Sequence, residues 1–159
     1  MNQQQIELIG YCGLYCADCI RYRSKAADLA SALLNELKDT EFEKYAELKS
    51  GPTKQFNAMK QFEHFRECRE VLEAIVNLQC NTPCRLGDGC PTFSCDILKC
   101  CRAKGFEGCW QCIEFESCGK FEPLESIHGD CPKENLGKIR KLGLDKWVSS
   151  RCRPYIWQK

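Results

Sequence analysis

Histidine and methionine are scarce in this chain, with two of each in 159 residues, and long apolar runs are missing. With only His64 and His128 to move protons, hydrolytic chemistry at a metal has little to work with. No stretch approaches 18 apolar residues, so no membrane span is expected. Net charge is nearly absent: 23 Lys and Arg against 22 Asp and Glu leave +1, which argues against a protein built mainly to coat nucleic acid. The opening MNQQQIELIGYCGLYC lacks the basic start and apolar stretch of a secretory signal, so the reducing cytoplasm is the expected compartment. There is also no phosphate-binding glycine loop, no G-x-S-x-G and no H-E-x-x-H.

What is abundant is cysteine. Fifteen is an odd number, so complete internal pairing is impossible, and disulfides are rare in a reducing compartment. The thiols are unevenly spread. Cys12, Cys16 and Cys19 sit near the start, Cys68 alone interrupts residues 20–79, ten fall between Cys80 and Cys131, and Cys152 stands near the end.

One domain is expected for this length, with a helical portion (20–79) set between the Cys motif of 12–19 and a Cys-rich segment (80–131), then a C-terminal helix and tail (132–159). Leu29, Leu33 and Leu37, with Ala30 and Leu34 beside them, predict an apolar stripe on a helix from about Tyr22 to Lys38. Phe42, Tyr45 and Leu48 suggest a short second helix, broken by Gly51-Pro52. Thr53 is a plausible cap for a long third helix whose stripe is Phe56, Met59, Phe62, Phe65, Val71 or Leu72, Ile75 and Val76. The tail predicts a helix with Asp130 as cap and Pro132 in its first turn. Its stripe is Leu136, Ile139 and Leu142, it stops at Gly143, and Leu144 to Val148 make one more turn.

Residues 80–131 read differently. Only six of 52 are Ile, Leu or Val, with four Phe and one Trp added, and Gly, Pro, Asp and Asn punctuate the segment. So few large apolar side chains are a poor basis for a core, whereas a structural zinc site contributes about 10–16 kcal/mol of apparent folding free energy. The expected fold class is therefore mainly α with irregular metal-stapled loops and little β: a small helical bundle packed on a Cys-rich zinc-binding segment.

Two cysteines separated by two residues can reach one tetrahedral ion from a tight turn. The chain has two such pairs, Cys16/Cys19 and Cys109/Cys112, and a ladder of cysteines four to six residues apart between Cys80 and Cys100. This pattern points to metal without deciding between zinc and iron–sulfur. Cys12, Cys16 and Cys19 also match the CxxxCxxC pattern of radical-SAM enzymes, but the chain is too short and too poor in strand–helix alternation for their barrel. Glu122 stands where their auxiliary-cluster pattern expects a cysteine.

A closer likeness covers nearly the whole chain. YCGLYCADC (Tyr11–Cys19), followed by CDILKCCRAKGFEGCWQCIEFESC (Cys95–Cys118) with its Lys104-Gly105 pair, resembles the cysteine-rich family named domain of unknown function 3795. Ser117 replaces the Pro often found before the last cysteine of that block, a change of backbone shape and not of ligand. The resemblance implies a small cytoplasmic protein that binds metal and has no established activity.

The expected ligands are Cys12, Cys16, Cys19, Cys80, Cys84, Cys90, Cys95, Cys100, Cys109, Cys112 and Cys118, enough for two or three zinc ions. Cys101 either serves a second ion or stays buried. Cys131 could complete a site with His128, three residues away. Cys68, one helical turn from His64, reads as a buried thiol beside a solvated histidine, and Cys152 has no sequence neighbour. Arg85, Lys99, Arg102, Lys104 and Lys120 lie among the ligands and could offset thiolate charge. The expected role is a non-catalytic zinc module that meets an unknown protein partner. One alternative is an iron–sulfur or thiol redox protein. Another is nucleic-acid binding through Arg140, Lys141, Lys146, Arg151 and Arg153 with Trp147, Tyr155 and Trp157, in a tail that carries +6.

Overall fold

The computed structural model describes residues 2–51, 59–90 and 94–158. Its helices are α1 (Gln3–Glu7), α2 (Lys25–Asp39), α3 (Phe42–Ser50), α4 (Phe65–Asn77), α5 (Asp96–Ala103), α6 (Glu122–His128) and α7 (Cys131–Ser150). Among the described residues, β pairing is limited to two isolated bridges, Ile9 with Tyr15 and Tyr22 with Cys80. The fold is thus mainly helical. The chain divides into two compact units: Arg23–Gln79, and a second built from the two flanking stretches, through Tyr22 and from Cys80 onward.

In the Arg23–Gln79 unit, the Ser24 side chain caps α2 by accepting from the Ala27 N–H at 3.4 Å, so the helix starts after the expected Tyr22. Its buried residues are Ala27 and Ala30, with Leu34 and Leu37 half-buried, whereas Leu29 is 60% and Leu33 46% exposed. The leucine repeat is therefore not the inward face. Small alanines occupy the α2–α4 contact and let the two backbones approach, which turns Leu29 and Leu33 outward.

α3 forms where expected, and the Phe42 ring meets Tyr45, Phe62 and Phe65 at 5.4, 5.6 and 5.4 Å. Arg66 reaches Glu43 and Glu47 at 3.0 and 3.1 Å, and Arg69 reaches Glu43 at 2.8 Å, tying α3 to α4. The predicted Thr53 cap and Phe56 lie outside the described residues. A 3₁₀ turn at Lys60–His64 precedes α4, which starts at Phe65. Leu72 is half-buried and Val71 is exposed, so Leu72 is the inward residue of the two.

In the other unit α7 is the spine. Pro132 stands in its first turn, and Asp130 occupies the cap position without a side-chain hydrogen bond. Leu136 and Ile139 are buried, but Leu142 is 45% exposed. Gly143 (φ 76, ψ 166) breaks the helical path there, so the fully buried Trp147 replaces Leu142 in the apolar stripe. One cluster joins Ile97, Cys101, Cys109, Phe115, Phe121 and Leu136, and a second joins Ile9, Ile139 and Trp147.

The segment 80–131 combines irregular stretches with short helices. α5 and α6 lie within it, and 3₁₀ turns form at Cys109–Gln111, Phe115–Ser117 and Gly119–Phe121. α5 buries Ile97, Leu98 and Cys101 on one face. A cysteine supplies the third apolar contact, so counting only aliphatic residues conceals the helical repeat.

Candidate metal centre

Both CxxC pairs share one local design. Cys16–Asp18 and Cys109–Gln111 are single 3₁₀ turns. The N–H of Cys19 donates to the Cys16 carbonyl at 3.0 Å, and that of Cys112 to the Cys109 carbonyl at 2.9 Å. The turns are joined through Cys109 N–H, which donates to the Tyr11 carbonyl at 2.9 Å. Gly13 adopts φ +85, and a Cβ there would lie 3.0 Å from Leu136 Cγ and the Pro132 carbonyl, so the loop over α7 requires glycine.

The first sulfur neighbourhood brings the N-terminal motif to the start of the Cys-rich segment. Cys80 N–H donates to the Arg21 carbonyl at 2.8 Å, and Cys84 N–H donates to Cys16 Sγ at 3.5 Å. The Cys84 thiol also donates to Cys16, which pushes Cys84 up and holds Cys16 below the usual thiol value. Burial pushes Cys12 up to about 12, and Cys84 and Cys95 are close enough to add to that shift. Burial likewise raises Cys80, which feels Cys84 and Cys19, and Cys95, which feels Cys84 and Cys90. Arg21 Nη1 donates to Cys90 Sγ at 2.6 Å, and the Tyr155 hydroxyl donates to Cys19 Sγ at 3.6 Å.

The second neighbourhood is a cavity of about 310 Å³ whose wall includes Cys100, Cys101, Cys109, Cys112 and Cys118, with Lys104 and Lys120 at its edge. The Cys101 and Cys109 sulfurs lie 3.4 Å apart, a contact that pushes Cys109 up and holds Cys101 down. Cys101 is buried, with its sulfur beside Cys109.

The nearby cations divide. Lys99 pairs with Asp96 at 3.8 Å, and Arg102 with Asp88 at 3.3 Å and the Gly87 carbonyl at 2.6 Å. Arg85 is sandwiched between the Tyr11 and Trp110 rings, 4.6 and 5.7 Å from their centroids, and its Nε donates to the Ile9 carbonyl at 3.0 Å. Its Nη2 is buried without a hydrogen-bond partner among the described residues, and its charge helps hold Cys101 down.

Other sequence candidates fall elsewhere. His128 does not pair with Cys131, because its Nδ1 meets the Pro154 carbonyl. Cys131 instead lies beside Cys152, the thiol without a sequence neighbour. Cys68 is exposed rather than buried, and His64 Nδ1 lies 4.0 Å from Glu67. In the tail, Trp147 and Tyr155 are buried and Trp157 is 62% exposed. Arg140 donates to the Trp110 and Cys112 carbonyls, and Arg151 to the Asp18 carboxylate.

All fifteen cysteines are free thiols. Among the described residues, no three or more Cys, His, Asp or Glu side chains stand together as a ready metal cage; the thiols meet in pairs and as near neighbours. The donor chemistry nonetheless fits a soft or borderline cation, since thiolates select zinc, Cu(I) and iron–sulfur clusters. The buried Arg85 Nη2, without a partner among the described residues, fits a centre that carries negative charge.

No curated protein and no solved structure matches the chain. A family model does match, over residues 8–123, a stretch that contains both CxxC turns and every thiol of the two sulfur neighbourhoods. The chain belongs to the family described as protein of unknown function (DUF3795).

Proposed function

We propose that this is a non-catalytic, cysteine-ligated zinc protein in which two or three ions staple the sulfur-rich unit, and that its surface serves a protein partner. One centre would draw on Cys12, Cys16, Cys19, Cys80, Cys84, Cys90 and Cys95, and the other on Cys100, Cys101, Cys109, Cys112 and Cys118. The observation that carries the reading is the hydrogen bond from the Cys84 backbone N–H to Cys16 Sγ at 3.5 Å, across 68 residues of chain and with no disulfide between the two cysteines. Zinc bound by four thiolates has no open position for water. Bound zinc would supply folding free energy; Arg85 would offset the charge of the thiolates beside it.

A second reading, an iron–sulfur cluster, draws support from the five-thiol cavity. Nucleic-acid binding through the tail has less support, because two of its three aromatic residues are buried and Arg140 and Arg151 are committed to carbonyls and Asp18. Substitution with cobalt(II) distinguishes these outcomes. Thiolate-to-cobalt charge transfer in the near ultraviolet, from protein that is colourless and zinc-bearing as purified, supports the zinc reading. Brown protein with stoichiometric iron and acid-labile sulfide overturns it in favour of a cluster, and colourless protein that gives no charge-transfer band overturns both.

A further inference from the structure

Cys131 and Cys152 lie outside the family match and outside both sulfur neighbourhoods. Cys131 opens α7, and Cys152 follows its last turn. Asn135, 1% exposed, holds both: its Nδ2 donates to Cys131 Sγ at 3.5 Å, and its Oδ1 accepts from the Cys152 N–H at 2.9 Å. The Cys152 thiol donates to Glu134 Oε2 at 3.1 Å and lies 3.7 Å from the Cys131 carbonyl. Lys138 Nζ is 3.8 Å from the same sulfur. The shared Asn135 and the approach of Cys152 Sγ to the Cys131 carbonyl bring the two cysteines side by side. Cys152 is half-buried and open to a small reagent, while Cys131 is only 8% exposed.

We propose that Cys131 and Cys152 are a reversible dithiol–disulfide clasp, oxidised by exchange with a low-molecular-weight disulfide. The Cys152 thiolate, its proton passed by way of Glu134 to solvent, attacks one sulfur of the small disulfide and releases the other as a thiolate. The Cys131 thiol then attacks the Cys152 sulfur, and its proton leaves with the second small sulfur, which departs as a thiol. Two protein thiols are oxidised to one disulfide, and one small disulfide is reduced to two thiols. Lys138 sits where it offsets the charge on the Cys152 sulfur. The closed clasp pins the segment carrying Pro154 and Tyr155 to the start of α7, two contacts that reach His128 and Cys19.

The test uses the full chain as purified, with bound metal quantified before and after exposure to oxidised glutathione, followed by alkylation and peptide mapping. The clasp predicts a peptide cross-linked through Cys131 and Cys152, abolished by dithiothreitol, and a drop of about tenfold or more in alkylation of both residues. Cys131→Ser should instead accumulate a glutathione adduct on Cys152, and Cys152→Ser should carry no cross-link. Bound metal per chain should not change. The wild-type map decides the matter even if a variant folds poorly: alkylation of both residues after oxidation, or pairing of Cys152 with a thiol of either neighbourhood, overturns the proposal. Metal released in step with cross-linking also overturns it, since the pair would then be ligands.

Discussion

Asn135 shows how much one polar side chain can organise when nothing around it is wet. Besides its two contacts to the cysteines, its Oδ1 accepts from the Trp147 indole N–H at 3.0 Å, so the amide ties the first half of α7, the residue after Gly143 that fills the core, and the chain beyond the helix. Asn135→Leu keeps the volume and leaves two buried donors, Trp147 Nε1 and the Cys152 N–H, without a partner. The expected cost is about 1–3 kcal/mol. In urea titrations the midpoint should fall with the slope unchanged; a midpoint at the wild-type value would mean that the amide is not holding these groups.

At the scale of elements, α7 contains two glycines with open space for a Cβ and opposite expected responses. Neither Gly137 nor Gly143 would place a Cβ within 4 Å of another group. Gly137 is helical, so Gly137→Ala should stabilise by about 0.5–1 kcal/mol through backbone entropy. Gly143 holds φ 76 and ψ 166, a region open almost only to glycine, so Gly143→Ala should destabilise by about 1–3 kcal/mol. Thermal melts of the two variants should move in opposite directions, and shifts of the same sign would refute the break in α7.

α6 carries a pH response. His128 is half-buried against the Pro154 carbonyl, and burial holds its pKa below the ordinary 6.5. The unfolded chain therefore takes up the proton first as pH falls below 6.5, and this contribution to stability is lost between that value and the lower folded one. The stability difference between wild type and His128→Gln should shrink from pH 7.5 to pH 5. Parallel curves would contradict the desolvated ring.

The elements also show what periodicity can and cannot reveal. The helices over α2, α3, α4 and α7 are legible because apolar residues recur at helical spacing. The inward face of α2 is not, since alanines that permit close approach count for less than leucines on any hydrophobic tally. α5 is hidden for the converse reason: Cys101 acts as a core residue there, while in the sequence it reads as one more thiol in a ladder.

For the molecule as a whole, the two CxxC turns and the spacing of the Cys95–Cys118 block are local features, so the sequence displays them. The meeting of Cys16 with Cys84 depends on how the flanking stretches close into one unit, and that of Cys131 with Cys152 on how the chain beyond α7 returns to the start of the helix, neither of which a local pattern encodes. The Arg23–Gln79 unit has an aromatic and aliphatic interior around Phe42, Phe62 and Phe65, and Cys68, its only thiol, is exposed. Removal of metal should therefore leave the helical signal of α2–α4 largely intact while the sulfur-rich unit loses its fixed packing.

The most direct measurement is elemental analysis of protein purified without added metal, paired with melting curves before and after a chelator under reducing conditions. Two or three zinc ions per chain, and loss of the cooperative transition of the Trp147-containing unit when they are stripped, are the predicted result. A metal-free protein whose stripped and unstripped samples melt alike would contradict it.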